Sequence, residues 1–124
     1  MYPEHYRYTK EHEWISVEGD IGTIGITFHA QKELGDIVYV DLPKVGATVT
    51  ASKPMGSVES VKAVSDLYAP LSGKVVKVNN PLGDSPEYLQ DDPYDEGWMI
   101  QIELSNPDEV KGLMNAATYR EFVE

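Results

Sequence analysis

GSVESVKAVSDLYAPLSG, residues 56–73, sets two Val- and Ser-rich stretches on either side of a lone lysine, Lys62. No other Lys or Arg lies between Lys53 and Lys74. Val58, Val61 and Val64 give both flanks the same character, and β-branched runs bounded by Gly and Pro read as strands. The segment is expected to be two antiparallel strands, MGSVESV (55–61) and AVSDLYAP (63–70), joined by a tight turn with Lys62 at or near its tip. A tip lysine is an accessible amine on a stiff mount. Most exposed lysines are merely solvated, and the residues alone do not choose between that reading and a functional amine.

Outward from this hairpin the chain reads as more short strands. HEWISV (12–17) and IGTIGI (21–26) flank EGD, a second hairpin with Gly19 in its turn. TFHAQKELG (27–35) reads as a brief helix, capped by Thr27 and ended by Gly35. DIVYVDLP (36–43) is a strand stopped by Pro43, and GATVTAS (46–52), GKVVKVN (73–79) and GWMIQIEL (97–104) are three more. SPEYLQ (85–90) reads as a short helix and DDPYDEG (91–97) as a loop. The tail, about 106–124, reads helical: Asn106 caps, Pro107 takes the first helical position, Glu109 completes a capping box, and Gly112 and Asn115 divide it. GATVTASKPMG (46–56) and GKVVKVNNPLG (73–83) align without gaps at an offset of 27. If that is a repeat, the two are matching strand-and-turn units. Strands with frequent turns favour a small sandwich or barrel.

The chain has 124 residues, 41% of them hydrophobic, which predicts one domain over 1–124 with a core of its own. Its net charge of −11 lacks the basic footprint that nucleic acid requires and is repelled by anionic membranes. An acidic surface suits basic patches on protein partners, or plain solubility. With no cysteine there is no disulfide, thiol catalyst or Cys-based metal site. No apolar run is long enough to span a bilayer. MYPEHYRYTKEHEW lacks both a signal core and a transit-peptide composition, so a cytosolic or already processed protein is expected. His5, His12 and His29 lack zinc-ligand spacing. GTIG (22–25) and SGKV (72–75) are not phosphate loops. Asp91, Asp92, Asp95 and Glu96 do not match a calcium loop. No nucleophile elbow appears, and no active site is expected that this chain builds unaided.

The hairpin segment resembles the lipoyl-attachment hairpin of the glycine cleavage system H protein family. YTKEHEW (8–14), TIGIT (23–27), AQKELGDIVYVDLP (30–43), DDPY (91–94), EGWMIQIEL (96–104) and the helical tail are similar to that family's landmarks in the same order. ASKP (51–54) and Phe28 depart from it, where a Lys-Gly-Glu type turn and an acid are common. The resemblance implies a mainly β, hybrid barrel-sandwich fold of the lipoyl/biotinyl-carrier kind, with short peripheral and C-terminal helices. It also implies lipoic acid in amide linkage to Lys62.

Further implications concern chemistry and partners. The lipoyl disulfide takes up an aminomethyl group and electrons from a PLP-dependent glycine decarboxylase (P protein). It passes the one-carbon unit to an aminomethyltransferase (T protein) and is reoxidised by a dihydrolipoyl dehydrogenase (L protein). A lipoate ligase or a lipoyl/octanoyl transferase would attach it. The resemblance makes Glu13 and Asp66 candidates for contact with the loaded arm's amine, and Glu59 and Ser60 candidates for recognition by the modifying enzyme. The chain is then a carrier and not an enzyme, cytoplasmic in a bacterium or in the mitochondrial matrix as a processed eukaryotic form. The alternatives are a biotin or acyl carrier, a lipoate donor or H-like paralogue, and an interaction module without cofactor. Val61 and Ala63 stand where biotin carriers usually have Met.

Overall fold

The computed structural model describes residues 2–123. Its elements, in chain order, are β1 (Arg7–Tyr8), β2 (Glu13–Glu18), β3 (Ile21–Ile26), α1 (Phe28–Leu34), β4 (Ile37–Asp41), β5 (Thr48–Val49), β6 (Pro54–Ser60), β7 (Val64–Tyr68), β8 (Gly73–Val78), α2 (Pro81–Asp84), α3 (Tyr88–Asp91), β9 (Ile100–Leu104), a 3-10 turn (Pro107–Gly112) and α4 (Ala116–Val123). All strand pairs are antiparallel. One sheet has six strands in the order β1-β2-β3-β9-β8-β5, and the other has three, β4-β6-β7.

Alternation sends one set of side chains from each sheet into a shared interior. Ile15, Ile24, Ile26, Val75, Ile100 and Ile102 of the large sheet meet Val40, Val58 and Leu67 of the small one in a single buried cluster. Removing these aliphatic groups from water, at about 25 cal/mol per Å², is the main force holding the layers together. The expected mainly β sandwich with short helices is what forms, and its two sheets do not close into a barrel.

The tail is pinned separately. Tyr8, Trp14, Ala116 and Tyr119 make a second buried cluster, in which the Tyr8 and Tyr119 rings stack at 4.7 Å. The Tyr8 and Met114 backbones exchange hydrogen bonds of 2.8 and 2.9 Å beside it. Asn115 starts α4 by accepting from the Thr118 N–H at 2.8 Å.

Several local expectations are corrected. Asn106 makes no side-chain cap, and the segment after it is a 3-10 turn. The Glu109 carboxylate, expected to close a capping box, instead accepts from the Ser72 N–H and hydroxyl at 2.8 and 3.1 Å. A long-range pair of donors outcompeted the local one. GATVTAS keeps only Thr48–Val49 as strand, because the chain turns at Ser52, whose φ is +68°. GWMIQIEL becomes strand only from Ile100, and the helix of SPEYLQ is confined to its end, with α2 an unforeseen turn before it. The supposed repeat units diverge: Pro54 opens a strand where Pro81 opens a helix, and β5 and β8 pair with each other. Glu124, the last residue of the expected tail, lies outside the described residues.

Candidate functional site

The hairpin turn is built by Ser60. Its N–H donates to the Ala63 carbonyl at 2.8 Å, leaving Val61 and Lys62 as the two tip residues. Its hydroxyl accepts from the N–H groups of Lys62 and Ala63 at 3.3 and 3.1 Å. The Val61 N–H donates to the Asp36 carbonyl at 3.0 Å, which ties the turn to the end of α1. Gly35 ends that helix at φ +78°, a conformation side chains resist, and a Cβ there would sit 3.6 Å from Lys62 Cε. The lysyl stem therefore starts from a fixed mount while its head is exposed. Lys62 enters none of the salt bridges among the described residues.

At the other end of β7 lies a cleft of about 270 Å³ lined by Thr9, Glu11, Glu13, Ser52, Tyr68 and Pro70, with Ala69. Glu13 is 1% exposed. Its Oε1 accepts from the Thr9 hydroxyl at 2.6 Å, and its Oε2 from the Tyr68 N–H at 3.2 Å. Thr9 Oγ1 in turn accepts from the Glu13 N–H at 3.1 Å. Burial outweighs these stabilising donors, and the nearby Glu11 charge adds to it, so the Glu13 carboxyl is pushed up to about 7. Beside the cleft, His12 takes φ +69°, and its Nδ1 lies 2.8 Å from the Tyr119 hydroxyl, which is 2.8 Å from Thr27 Oγ1. Burial first, then the adjacent His29 ring, pushes His12 down from the usual imidazole value. The tail helix thus buttresses the turn that delivers Glu13.

Glu13 has a testable pH signature. The folded chain binds its proton more tightly than the unfolded chain, whose carboxyl has an ordinary value near 4.5. Its contribution to stability is therefore complete below that value and is lost as pH rises through 7. Glu13→Gln removes the titration. Between about pH 4 and pH 8 the urea-unfolding free energy of wild type should fall by ~3 kcal/mol relative to the variant. A constant difference would place the Glu13 carboxyl at an ordinary value.

The other sequence candidates fall in different places. Asp66 is exposed and does not line the Glu13 cleft, but strand alternation puts it on the same face of β7 as Tyr68. Glu59 is exposed on β6, paired between Tyr39 and Val64. Ser60 is 6% exposed and its hydroxyl accepts inside the turn, so what the structure gives it is a part in shaping the hairpin. Thr9, Glu11, Ser52 and the Tyr68 amide went unrecognised as cleft residues. Thr9 and Glu11 stand beside Glu13 in YTKEHEW, a signal that was available. Ser52 and Tyr68 are brought there only by the fold.

The model of the glycine cleavage H-protein family matches residues 6–124. The chain belongs to the glycine cleavage H-protein family. It is 57% identical over 122 residues to the glycine cleavage system H protein of Geobacillus sp. (strain WCH70), covering 98% of this chain and 96% of that one. It is 58% identical over 121 residues to the glycine cleavage system H protein of Anoxybacillus flavithermus, covering 98% and 95%. A solved glycine cleavage system H protein from Mycobacterium marinum superposes with a TM-score of 0.89 at 42% identity, covering 96% of each chain. Membership in the H-protein family makes this chain a lipoyl carrier of the glycine cleavage system.

Proposed function

We propose that Lys62 is the residue that carries the lipoyl group, and that Glu13 and Asp66 receive the loaded arm. The observation that carries this reading is an exposed, unpaired amine on a two-residue turn, at one end of a strand whose other end meets a buried carboxylate. Acylation neutralises the ammonium, and no ion pair among the described residues has to be broken for it. The lipoyl ring, when bound, supplies the disulfide that accepts an aminomethyl group and electrons from glycine.

The chain's own part is to mount, reach and shelter. From Lys62 the strand advances about six residues to Tyr68, at most roughly 20 Å. A lysyl stem extended by an eight-carbon acyl chain covers roughly 16 Å at about 1.25 Å per bond, before any cargo is added. The amine end then comes within reach of Glu13. Ionised Glu13 would hold a cationic amine by charge-assisted hydrogen bonds, and Asp66 would steer it from the outer face. Asp66→Ala is expected to leave acylation of Lys62 unchanged and to shorten the lifetime of the loaded arm severalfold. Equal lifetimes for variant and wild type would remove Asp66 from the site.

In this reading the chain is a shared substrate of glycine decarboxylase, aminomethyltransferase and dihydrolipoyl dehydrogenase, loaded by a lipoate ligase or a lipoyl/octanoyl transferase. It is not an enzyme itself. The shared core of the two sheets supports taking 1–124 as one carrier domain, and the bacterial relatives support a cytoplasmic setting. Mass spectrometry of the Lys62 peptide from native cells, with glycine-dependent reduction in the presence of the three enzymes, tests the proposal. A Lys62 that stays unmodified, or carries biotin, refutes it. A lipoylated protein that glycine cannot reduce supports the lipoate-donor role instead.

A further inference from the structure

The small sheet has an unprotected edge beside Lys62. The Ser60 N–H to Ala63 carbonyl bond and the Ala69 N–H to Lys53 carbonyl bond fix the phase of the β6–β7 ladder. In an antiparallel pair the bonding alternates, so Ala63, Ser65, Leu67 and Ala69 face β6, and Val64, Asp66 and Tyr68 turn their backbone groups outward. The Tyr68 N–H confirms the phase, since it bonds the Glu13 carboxylate. Among the described residues nothing pairs with the N–H groups of Val64 and Asp66.

The other strand edges are closed in recognisable ways. β1 is bridged by Met114, β5 is only two residues long, and β4 is bulged at Val38 with α2 packed on it. β7 carries no Pro, no Lys and no bulge, and its Val64 is 67% exposed next to a 69% exposed Val61. An unprotected edge of this kind normally invites aggregation, so a function that uses it is the natural reason for keeping it. Across the outer face run two rows, Tyr39–Glu59–Val64 and Asp41–Ser57–Asp66, which combine apolar groups with three carboxylates. Lys62 is the sole cation between Lys53 and Lys74.

We propose that the open edge of β7 receives an extended segment of the enzyme that acylates Lys62, adding a fourth strand to the small sheet. This rests on Lys62 being the acylated residue. Backbone pairing supplies register, placing the tip amine at a fixed offset from the partner's acyl group. Complementarity specifies the segment: an apolar residue opposite Val64, and a Lys or Arg beside it that reaches across to the Glu59 carboxylate one strand in.

Val64→Pro is the diagnostic variant, because the N–H it removes faces the open side and takes no part in the β6 ladder. Val64→Ile keeps that N–H, the β-branch and the apolar surface. With the purified lipoate ligase, the proline variant should lose at least about tenfold in kcat/KM for acylation, as one unpaired hydrogen-bonding partner implies, and the isoleucine variant should stay near wild type. Amide exchange supplies a readout on the native sequence. In wild type, the Val64 and Asp66 amides should become protected when the unlipoylated protein is mixed with ligase. If the proline variant fails to fold, that protection alone decides the matter. Wild-type rates in Val64→Pro, or no protection by ligase, overturn the proposal. Protection that appears only on lipoylation, without enzyme, overturns it in favour of the arm lying on this edge. A wild type that takes no acyl group at Lys62 refutes the carrier reading and this proposal together, whereas loss of the edge proposal alone leaves wild-type loading intact.

Discussion

Lys62→Arg should abolish glycine-dependent reduction completely while leaving the fold untouched. The guanidinium keeps the charge and most of the stem, but it stays protonated and offers no free amine to an acyl donor. The turn does not depend on the lysine head, because Ser60 and the Val61–Asp36 bond hold it. Stability should therefore change by no more than about 0.5 kcal/mol. Intact mass reads the missing lipoyl group, and turnover with the partner enzymes reads the lost carriage. Activity above background in this variant would mean that another group carries the cargo.

The second large effect is expected at Gly56, inside β6. A Cβ there would overlap the Asp41 carbonyl oxygen and crowd the Asp41 carbonyl carbon at 3.3 Å. Those are backbone atoms of β4, which cannot swing aside as a side chain can. Gly56→Ala must push β4 off β6 beside the irregularity in the β6–β7 register. A loss of about 3 kcal/mol or more is expected in urea unfolding. Gly112→Ala, with open space around it, serves as the neutral control. An unchanged midpoint for Gly56→Ala would show that the two strands do not approach so closely.

Lys62 and Glu13 differ in how they could be found. Lys62 was legible as the tip of a hairpin because the information is local: a lone cation between matching β-branched flanks needs no distant residue to place it there. Thr27 and Gly35 were legible for the same reason, and the structure shows Thr27 accepting from the Ala30 N–H at 3.2 Å. Glu13 was singled out through family likeness, yet nothing local in EHEW announces a buried carboxylate. Its burial and its high proton affinity come from β7 and the 9–12 turn closing over it.

Glu109 and Ser60 show what local reading leaves open. Asn106, Pro107 and Glu109 satisfy a capping rule, but Ser72, distant in sequence, offers Glu109 two donors at once. Ser60 lies in the attachment motif, and the fold engages its hydroxyl inside the turn. In both cases a polar group went to the partner that satisfied it best, and sequence spacing does not rank partners across the fold.

The order of residues by itself determined the strand-rich character, both hairpin turns, the first helix with its cap and stop, and which lysine is presented. These follow from short-range sterics and alternation, which act within a few residues. Only the tertiary structure decided that a carboxylate would be buried at the far end of β7, that the tail would brace it through Tyr119, and that β7 would keep a free edge. Desolvation and edge exposure are properties of what packs against a residue from elsewhere in the chain, so they come into being only when the two sheets meet.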